Sequence, residues 1–190
     1  MSGTAGGPKR TVGFLGFGRI AQATLHRLVG FGITQCLYTT RVGSLPKKDL
    51  EDSLTEKYRH INPGFESVRA VDLKTLARGS DVLFILAPGG AETKHIVNEG
   101  LLREMKRTSV LVNASRGSLV DSEALAKALR EGWIWGAGLD VVEGEPDVAA
   151  DHPLVREPKL VRQPASRACL TTGQLRDLAP HRECSDHDQD

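Results

Sequence analysis

The sequence predicts an α/β domain built on a doubly wound parallel sheet, with helices on both faces. Short apolar runs bounded by turn residues recur along the chain, segments with helical spacing separate them, and a glycine-rich turn joins the first run to the first helix. Such runs are typical of parallel strands, because crossover helices bury both faces of the sheet. The sequence is therefore expected to form one open α/β unit.

The apolar runs predict six strands, at 11–15, 35–39, 68–71, 81–86, 109–112 and 134–139. The segments between them predict helices at 19–29, 46–58, 73–77, 99–106 and 122–131. Asp72, Asn98 and Asp121 are predicted N-caps, because short oxygen-bearing side chains accept hydrogen bonds from the first turn. Gly132 fits the end of the last helix, where a left-handed residue is common.

Three regions are predicted from the distribution of these elements. Residues 1–10 form a flexible N-terminal segment, residues 11–159 form the α/β domain, and residues 160–190 form a poorly ordered tail with at most a short helix around 173–178. The tail is set apart because it shows no sustained apolar period.

Composition narrows the classes of protein to consider. A formal net charge of +1 gives no reason to expect binding to nucleic acid or to a membrane surface. The three cysteines (Cys36, Cys169 and Cys184) are scattered and lack metal-ligand spacing, so we expect no metal site and a cytoplasmic location. Cys36 falls within a predicted strand and is expected to be a small core residue.

The glycine-rich turn is a candidate phosphate-binding loop. Gly16 permits a tight turn after the first strand, and Gly18 leaves room for a pyrophosphate to approach the backbone. Arg19 and Ile20 then begin the helix, whose unpaired N–H groups and dipole favour an anion. The loop predicts dinucleotide binding in a Rossmann-type domain; the alternative is a glycine-rich turn without a ligand.

The end of the second strand favours NADP(H) over NAD(H), although NAD(H) stays possible. An acidic residue there would bond the 2′-hydroxyl of NAD, but Thr39 occupies that position and Arg41 follows. A charge-assisted hydrogen bond from Arg41 to a 2′-phosphate predicts a preference of about ten- to hundredfold for NADP(H). The alternative is that Arg41 is a solvated surface residue.

Polar side chains follow the last two predicted strands, at the edge where open α/β sheets bind ligands. Arg116 follows the fifth strand, Asp140 follows the sixth, and Glu145 lies in the turn beyond. A cation and two carboxylates at one sheet edge, beside a cofactor loop, favour chemistry on an anionic substrate.

Four segments resemble the D-isomer-specific 2-hydroxyacid dehydrogenases, especially the glyoxylate/hydroxypyruvate reductase branch. They are the TVGFLGFGRIAQA run, 113–117 (NASRG), 138–141 (GLDV) and the Glu145-Pro146 pair, in the order and spacing of that family. The resemblance runs from about Thr11 to about Lys159.

The resemblance implies a role for each polar residue. Arg116 would hold the substrate carboxylate and polarise the keto group, Asp140 would orient the nicotinamide carboxamide, and Glu145 would hydrogen-bond a catalytic histidine. Ala87 and Pro88, after the fourth strand, would lie along the cofactor. The alternatives are a structural ion pair for Arg116, an Asx turn for Asp140, an exposed acid at Glu145 and an ordinary connecting loop at Ala87 and Pro88.

The family's histidine is missing from its expected place. Counting forward from His152-Pro153-Leu154, the proline position falls on Pro164 and the histidine position on Ala165. His181 lies in the predicted tail, and the sequence places none of the earlier histidines (His26, His60 and His95) in the site.

The resemblance therefore implies an NADP(H)-dependent oxidoreductase that reduces small 2-keto acids such as glyoxylate or hydroxypyruvate, with a possible homodimer. Activity of this chain is expected to be impaired, since the histidine and the family's substrate domain are not found in it. The alternative is a non-catalytic NADP(H)-binding module, or a gene-model fragment, that dimerises with full-length relatives.

Overall fold

The computed structural model describes residues 9–39, 47–144, 148, 152–154 and 157–162. In this part of the chain the strands are β1 (Thr11–Leu15), β2 (Gln35–Thr39), β3 (Ser67–Ala70), β4 (Val82–Ile85), β5 (Val110–Asn113), β6 (Gly136–Leu139) and β7 (Leu160–Arg162). The α-helices described are α1 (Arg19–Val29), α2 (Lys48–Ile61), α3 (Leu73–Gly79), α4 (Glu99–Glu104) and α5 (Ser122–Glu131).

The strands form one parallel sheet in the order β3-β2-β1-β4-β5-β6-β7. The strand order reverses between β1 and β4, because the chain builds outward through β2 and β3 and then returns. Leu15 pairs with Thr39 on one side and Ile85 on the other, and Asn113 pairs with both Ile85 and Leu139. The carboxyl ends of five strands are therefore level, and the loops that follow them meet at one edge.

Two hydrophobic clusters cover the two faces of the sheet. One includes Leu83, Leu111 and Leu125, and the other includes Phe14 and Tyr58; all five side chains are almost completely buried. Because both faces are covered, the predicted doubly wound α/β fold is confirmed.

The predicted helix caps are confirmed. Each of the three cap side chains accepts a hydrogen bond from a backbone N–H three residues later, at 2.9 to 3.1 Å (Asp72, Asn98 and Asp121). Gly132 ends α5 with a φ of 70°, the left-handed conformation expected there. Cys36 is a buried free thiol, as predicted, and burial raises its pKa.

Several element boundaries differ from the predictions by one to three residues; α3, for example, ends at Gly79 instead of 77, and β6 begins at Gly136 instead of 134. α2 runs to Ile61, beyond the predicted end at residue 58. It ends there because Pro63 disfavours helical backbone angles at Asn62, the residue before it. α4 stops at Glu104 instead of 106, with Met105 turned into the core. β7 extends the sheet three residues past the predicted domain end at 159.

The extra strand has a simple physical cause. β7 pairs with β6 through backbone groups, and an edge strand of three residues needs no long apolar run. The rest of the predicted tail, including the helix around 173–178, lies outside the described residues.

Among the helices of the described part, none combines the length and the apolar character that crossing a membrane would require.

Candidate functional site

The loops that follow β1 and β4 touch at the point where the strand order reverses. Gly16 has a φ of 91°, and a Cβ added to it would lie 2.8 Å from both the Cα and the backbone nitrogen of Ala87. The Gly16 N–H donates to the carbonyl of Thr39, at 3.0 Å. Only glycine satisfies both the backbone angle and the spacing, so Gly16 fixes how the two loops meet.

The start of α1 is open, with no side chain placed over it. Gly18 is the N-cap residue, no side chain caps the helix, and a Cβ added to Gly18 would have no neighbouring atom within 4 Å. Arg19 is exposed, and Ile20 is 70% exposed, an unusual state for a large apolar side chain. Ala21, in the place of the third glycine, is fully buried. These features fit a pyrophosphate that lies on the helix N-terminus beside an apolar contact.

The end of β2 is held by a stack of two rings. The Phe17 ring lies on the Tyr38 ring with centroids 4.2 Å apart, and the Tyr38 hydroxyl donates to the Glu51 carboxylate at 2.9 Å. Burial, with Glu51 next to it, raises the pKa of Tyr38 and keeps the hydroxyl protonated. The stack positions Thr39, which is half-buried, beside the glycine loop. Arg41 lies outside the described residues.

The turn after β5 is organised by Asn113, which is 1% exposed. Its amide oxygen accepts from the Ser115 N–H at 3.1 Å, and its amide nitrogen donates to the Arg116 carbonyl at 2.9 Å. The Ser115 hydroxyl donates to the carbonyl of Ala87. The sequence indicated no role for Asn113 and Ser115 beyond the family resemblance, although a polar residue that ends an apolar strand is a usable signal.

Arg116 is exposed at the edge of the sheet, beside the loop that follows β4. A Cβ added to Gly89 would lie 2.9 Å from the Arg116 Cγ, so the aliphatic part of the arginine packs on this glycine. The guanidinium donates to the carbonyl of Ser115 at 2.9 Å. Pro88 is exposed in the same loop, and its carbonyl accepts from the Thr93 hydroxyl at 3.2 Å. The structure thus brings Arg116 close to the predicted cofactor loop.

Asp140 follows β6 and is exposed at the same edge. Its N–H donates to the Asn113 carbonyl at 2.9 Å. Two residues later the chain touches the turn after β5, since a Cβ added to Gly117 would overlap the carbonyl group of Val142. Glu145 lies outside the described residues, and so does Ala165.

A histidine lies beside this turn, and nothing in the sequence indicated it. His95 Nε2 is 2.8 and 3.0 Å from the two carboxylate oxygens of Glu143. The His95 N–H donates to the carbonyl of Ser118 at 2.9 Å, and Lys94 Nζ lies 3.9 Å from Glu143. The sequence placed none of the earlier histidines in the site, and the structure puts His95 against the segment that follows Asp140. The two partners are far apart in sequence, so no local pattern could reveal the pair.

The described part of the predicted site therefore forms a continuous strip along the sheet edge. Contacts run from Gly16 to Ala87, from Ala87 through Ser115 to Arg116, and from Asn113 to Asp140. The strip crosses the reversal in strand order, which is where open α/β sheets bind dinucleotides.

Known proteins share this architecture. The family model of the D-isomer specific 2-hydroxyacid dehydrogenase NAD binding domain matches residues 6–165, slightly more than the resemblance seen in the sequence. A glyoxylate reductase of Korarchaeum cryptofilum is 42% identical over 171 residues, which are 89% of this chain and 46% of the relative. The chain thus spans less than half the length of this curated relative.

Two solved structures show the same fold. An NADPH-dependent glyoxylate/hydroxypyruvate reductase from Sinorhizobium meliloti, in complex with NADP and malonate, has a TM-score of 0.64 and 34% identity, and the match covers 83% of this chain and 43% of the reductase. An NAD complex of a D-isomer specific 2-hydroxyacid dehydrogenase from Lactobacillus delbrueckii has a TM-score of 0.63 and 27% identity, over 82% of this chain and 45% of the dehydrogenase.

The family match covers more than half of the chain, and the fold and the glycine loop agree with it. The chain belongs to the D-isomer specific 2-hydroxyacid dehydrogenase family, and its α/β domain is the NAD-binding domain of that family.

Proposed function

We propose that this chain binds NADP(H) as the cofactor domain of an oxidoreductase that reduces small 2-keto acids such as glyoxylate or hydroxypyruvate. The observation that carries the proposal is the open start of α1 at the reversal in strand order, with Gly18 unobstructed and Ile20 exposed. The relatives named glyoxylate reductase support the substrate class.

The pyrophosphate and the adenosine ribose of the cofactor would be held at two neighbouring places along the strip. Backbone N–H groups of Gly18, Arg19 and Ile20, together with the helix dipole, would hold the pyrophosphate. Gly16 would shape the turn, since its own N–H donates to the Thr39 carbonyl. Thr39 leaves the ribose end without a carboxylate, which removes repulsion toward a 2′-phosphate, and Arg41 would supply a cation. The proposed preference for NADP(H) rests on this pair of residues.

The nicotinamide end would lie where the loops after β4, β5 and β6 meet. Ala87 and Pro88 would line it, and Asp140 would accept a hydrogen bond from the carboxamide. The chemistry that a bound, reduced nicotinamide would supply here is a hydride for the keto carbon. Arg116 would bind the carboxylate and keto oxygens of the substrate through its planar guanidinium.

Transfer of a proton to the keto oxygen is the step for which this chain lacks the family's donor. Glu145 would hydrogen-bond a histidine and favour its protonated form, but Ala165 stands where the family resemblance places that histidine. We therefore propose that these 190 residues bind cofactor but turn over slowly. A homodimer and a cytoplasmic location stay predictions from the sequence.

Titration of the 190-residue chain with NADPH and NADH, followed by nicotinamide fluorescence, tests cofactor choice. We expect NADPH to bind about ten- to hundredfold more tightly, because one charge-assisted hydrogen bond distinguishes the two. Arg41→Met should remove the preference by weakening NADPH alone. Arg107→Met is a matched control, since Arg107 is exposed just before β5, at the opposite edge of the sheet. Equal affinities in the unaltered chain would contradict the preference.

Substitution of the two loop glycines separates binding from folding. Gly18→Ala places a methyl group in open space, so we expect unchanged thermal stability and an NADPH affinity at least about tenfold lower, because the methyl group occupies the backbone approach. Gly16→Ala should instead lower the melting temperature, since its Cβ meets the backbone of Ala87 at a strained φ. Normal NADPH binding by the Gly18→Ala chain would refute the assigned phosphate site.

The turnover prediction concerns the chain mixed with NADPH and glyoxylate. Loss of a general acid typically slows a reaction by about 10²- to 10⁴-fold, so we expect negligible NADPH oxidation next to a full-length relative assayed in parallel. Oxidation at the rate of that relative would show that the chain supplies a proton donor that we have not identified. Binding without oxidation is also what the non-catalytic module predicts.

A further inference from the structure

The contact between His95 and Glu143 links two loops of the site through side chains. His95 lies at the end of the loop that follows β4, and Glu143 lies three residues beyond Asp140. Both oxygens of the carboxylate are within 3.0 Å of His95 Nε2. The two side chains are 37% and 33% exposed, so water weakens the contact only in part.

The backbone of His95 is held in an uncommon conformation. Its φ is 50°, and it is the one non-glycine residue with a positive φ in the described part of the chain. L-residues seldom adopt this region, although histidine does so more often than most. The hydrogen bond from its N–H to Ser118 keeps it there, and an observed outlier of this kind is often found near functional sites.

Glu143 belongs to the segment that the site needs in place. Val142 touches Gly117 backbone to backbone, directly after Arg116, and the Asp140 N–H is bonded to Asn113. These contacts hold the start of the segment against the turn after β5, and His95 contacts the Glu143 carboxylate further along it.

We propose that His95 is a positioning residue that, through Glu143, orients the segment bearing Asp140 toward the nicotinamide end of the cofactor site. This inference rests on the proposed function, since it assigns that end of the site to the cofactor. His95 contacts the segment at the Glu143 carboxylate, and its role is to hold that side chain in place.

The test uses variants that break the link without straining the backbone. Asparagine tolerates a positive φ, so His95→Asn removes the reach of the ring while it keeps the backbone conformation. Glu143→Ala removes the other partner, and His95→Gln restores a donor of intermediate length. His60→Asn is a matched control on the exposed last turn of α2, and Lys94→Met tests the more distant cation near Glu143.

The first measurement is hydrogen–deuterium exchange of residues 136–144 without any ligand. We expect several-fold faster exchange in the His95→Asn and Glu143→Ala chains, no further increase when both substitutions are combined in one chain, and no change in the His60→Asn control. Equal exchange in all chains would overturn the link, whether or not the chain binds a nucleotide.

The second measurement compares the affinities of NADPH and of 2′,5′-ADP, which lacks the nicotinamide half. We expect His95→Asn and Glu143→Ala to lower the affinity for NADPH about three- to tenfold and to leave the affinity for 2′,5′-ADP unchanged. His95→Gln should recover part of the affinity for NADPH. A general loss of structure would lower the affinities for both ligands, and that result would overturn the positioning role. If the unaltered chain binds neither ligand, the proposed function fails while the exchange result still decides whether the link exists.

Discussion

The loops at the carboxyl edge of the sheet lie so close together that the backbones of neighbouring loops are in contact at two places. A Cβ at Gly16 or at Gly117 would collide with the neighbouring loop, so both positions require glycine. The level ends of β1, β4, β5 and β6 make these contacts possible, because parallel register brings successive loops to one edge. Every residue assigned to the site in the described part of the chain lies on or beside these loops.

The free-energy contributions of the contacts indicate which of them set the geometry of the site. A partly exposed polar contact such as His95–Glu143 contributes about 0–1 kcal/mol, whereas leaving a buried polar group without a partner costs about 1–3 kcal/mol. Asn113 is buried and bonded on both sides of its amide, so the turn bearing Arg116 is fixed mainly by Asn113. The His95–Glu143 contact is too weak to build the site and suited to adjusting the direction of one segment.

The sequence predicted those features that depend on local chemistry. Alternation of apolar runs with helical segments indicated the doubly wound sheet, and Asp121 and Gly132 marked both ends of α5 where the structure has them. Features set by tertiary contact were missed. β7 depends on backbone pairing with β6, and the His95–Glu143 contact joins residues far apart in the chain. The predicted roles of Arg41 and Glu145 fall on residues that the structure does not describe.

The central claim is that a dinucleotide lies along the strip from the start of α1 to the loops after β5 and β6. Backbone amide chemical shifts of the ¹⁵N-labelled chain, recorded with and without NADPH, test it most directly. The account predicts shifts at 16–20, at 87–90 and at the turns around Arg116 and Asp140, with little change at the amino ends of the strands. Shifts confined to the opposite edge of the sheet, or no shifts at saturating NADPH, would contradict it.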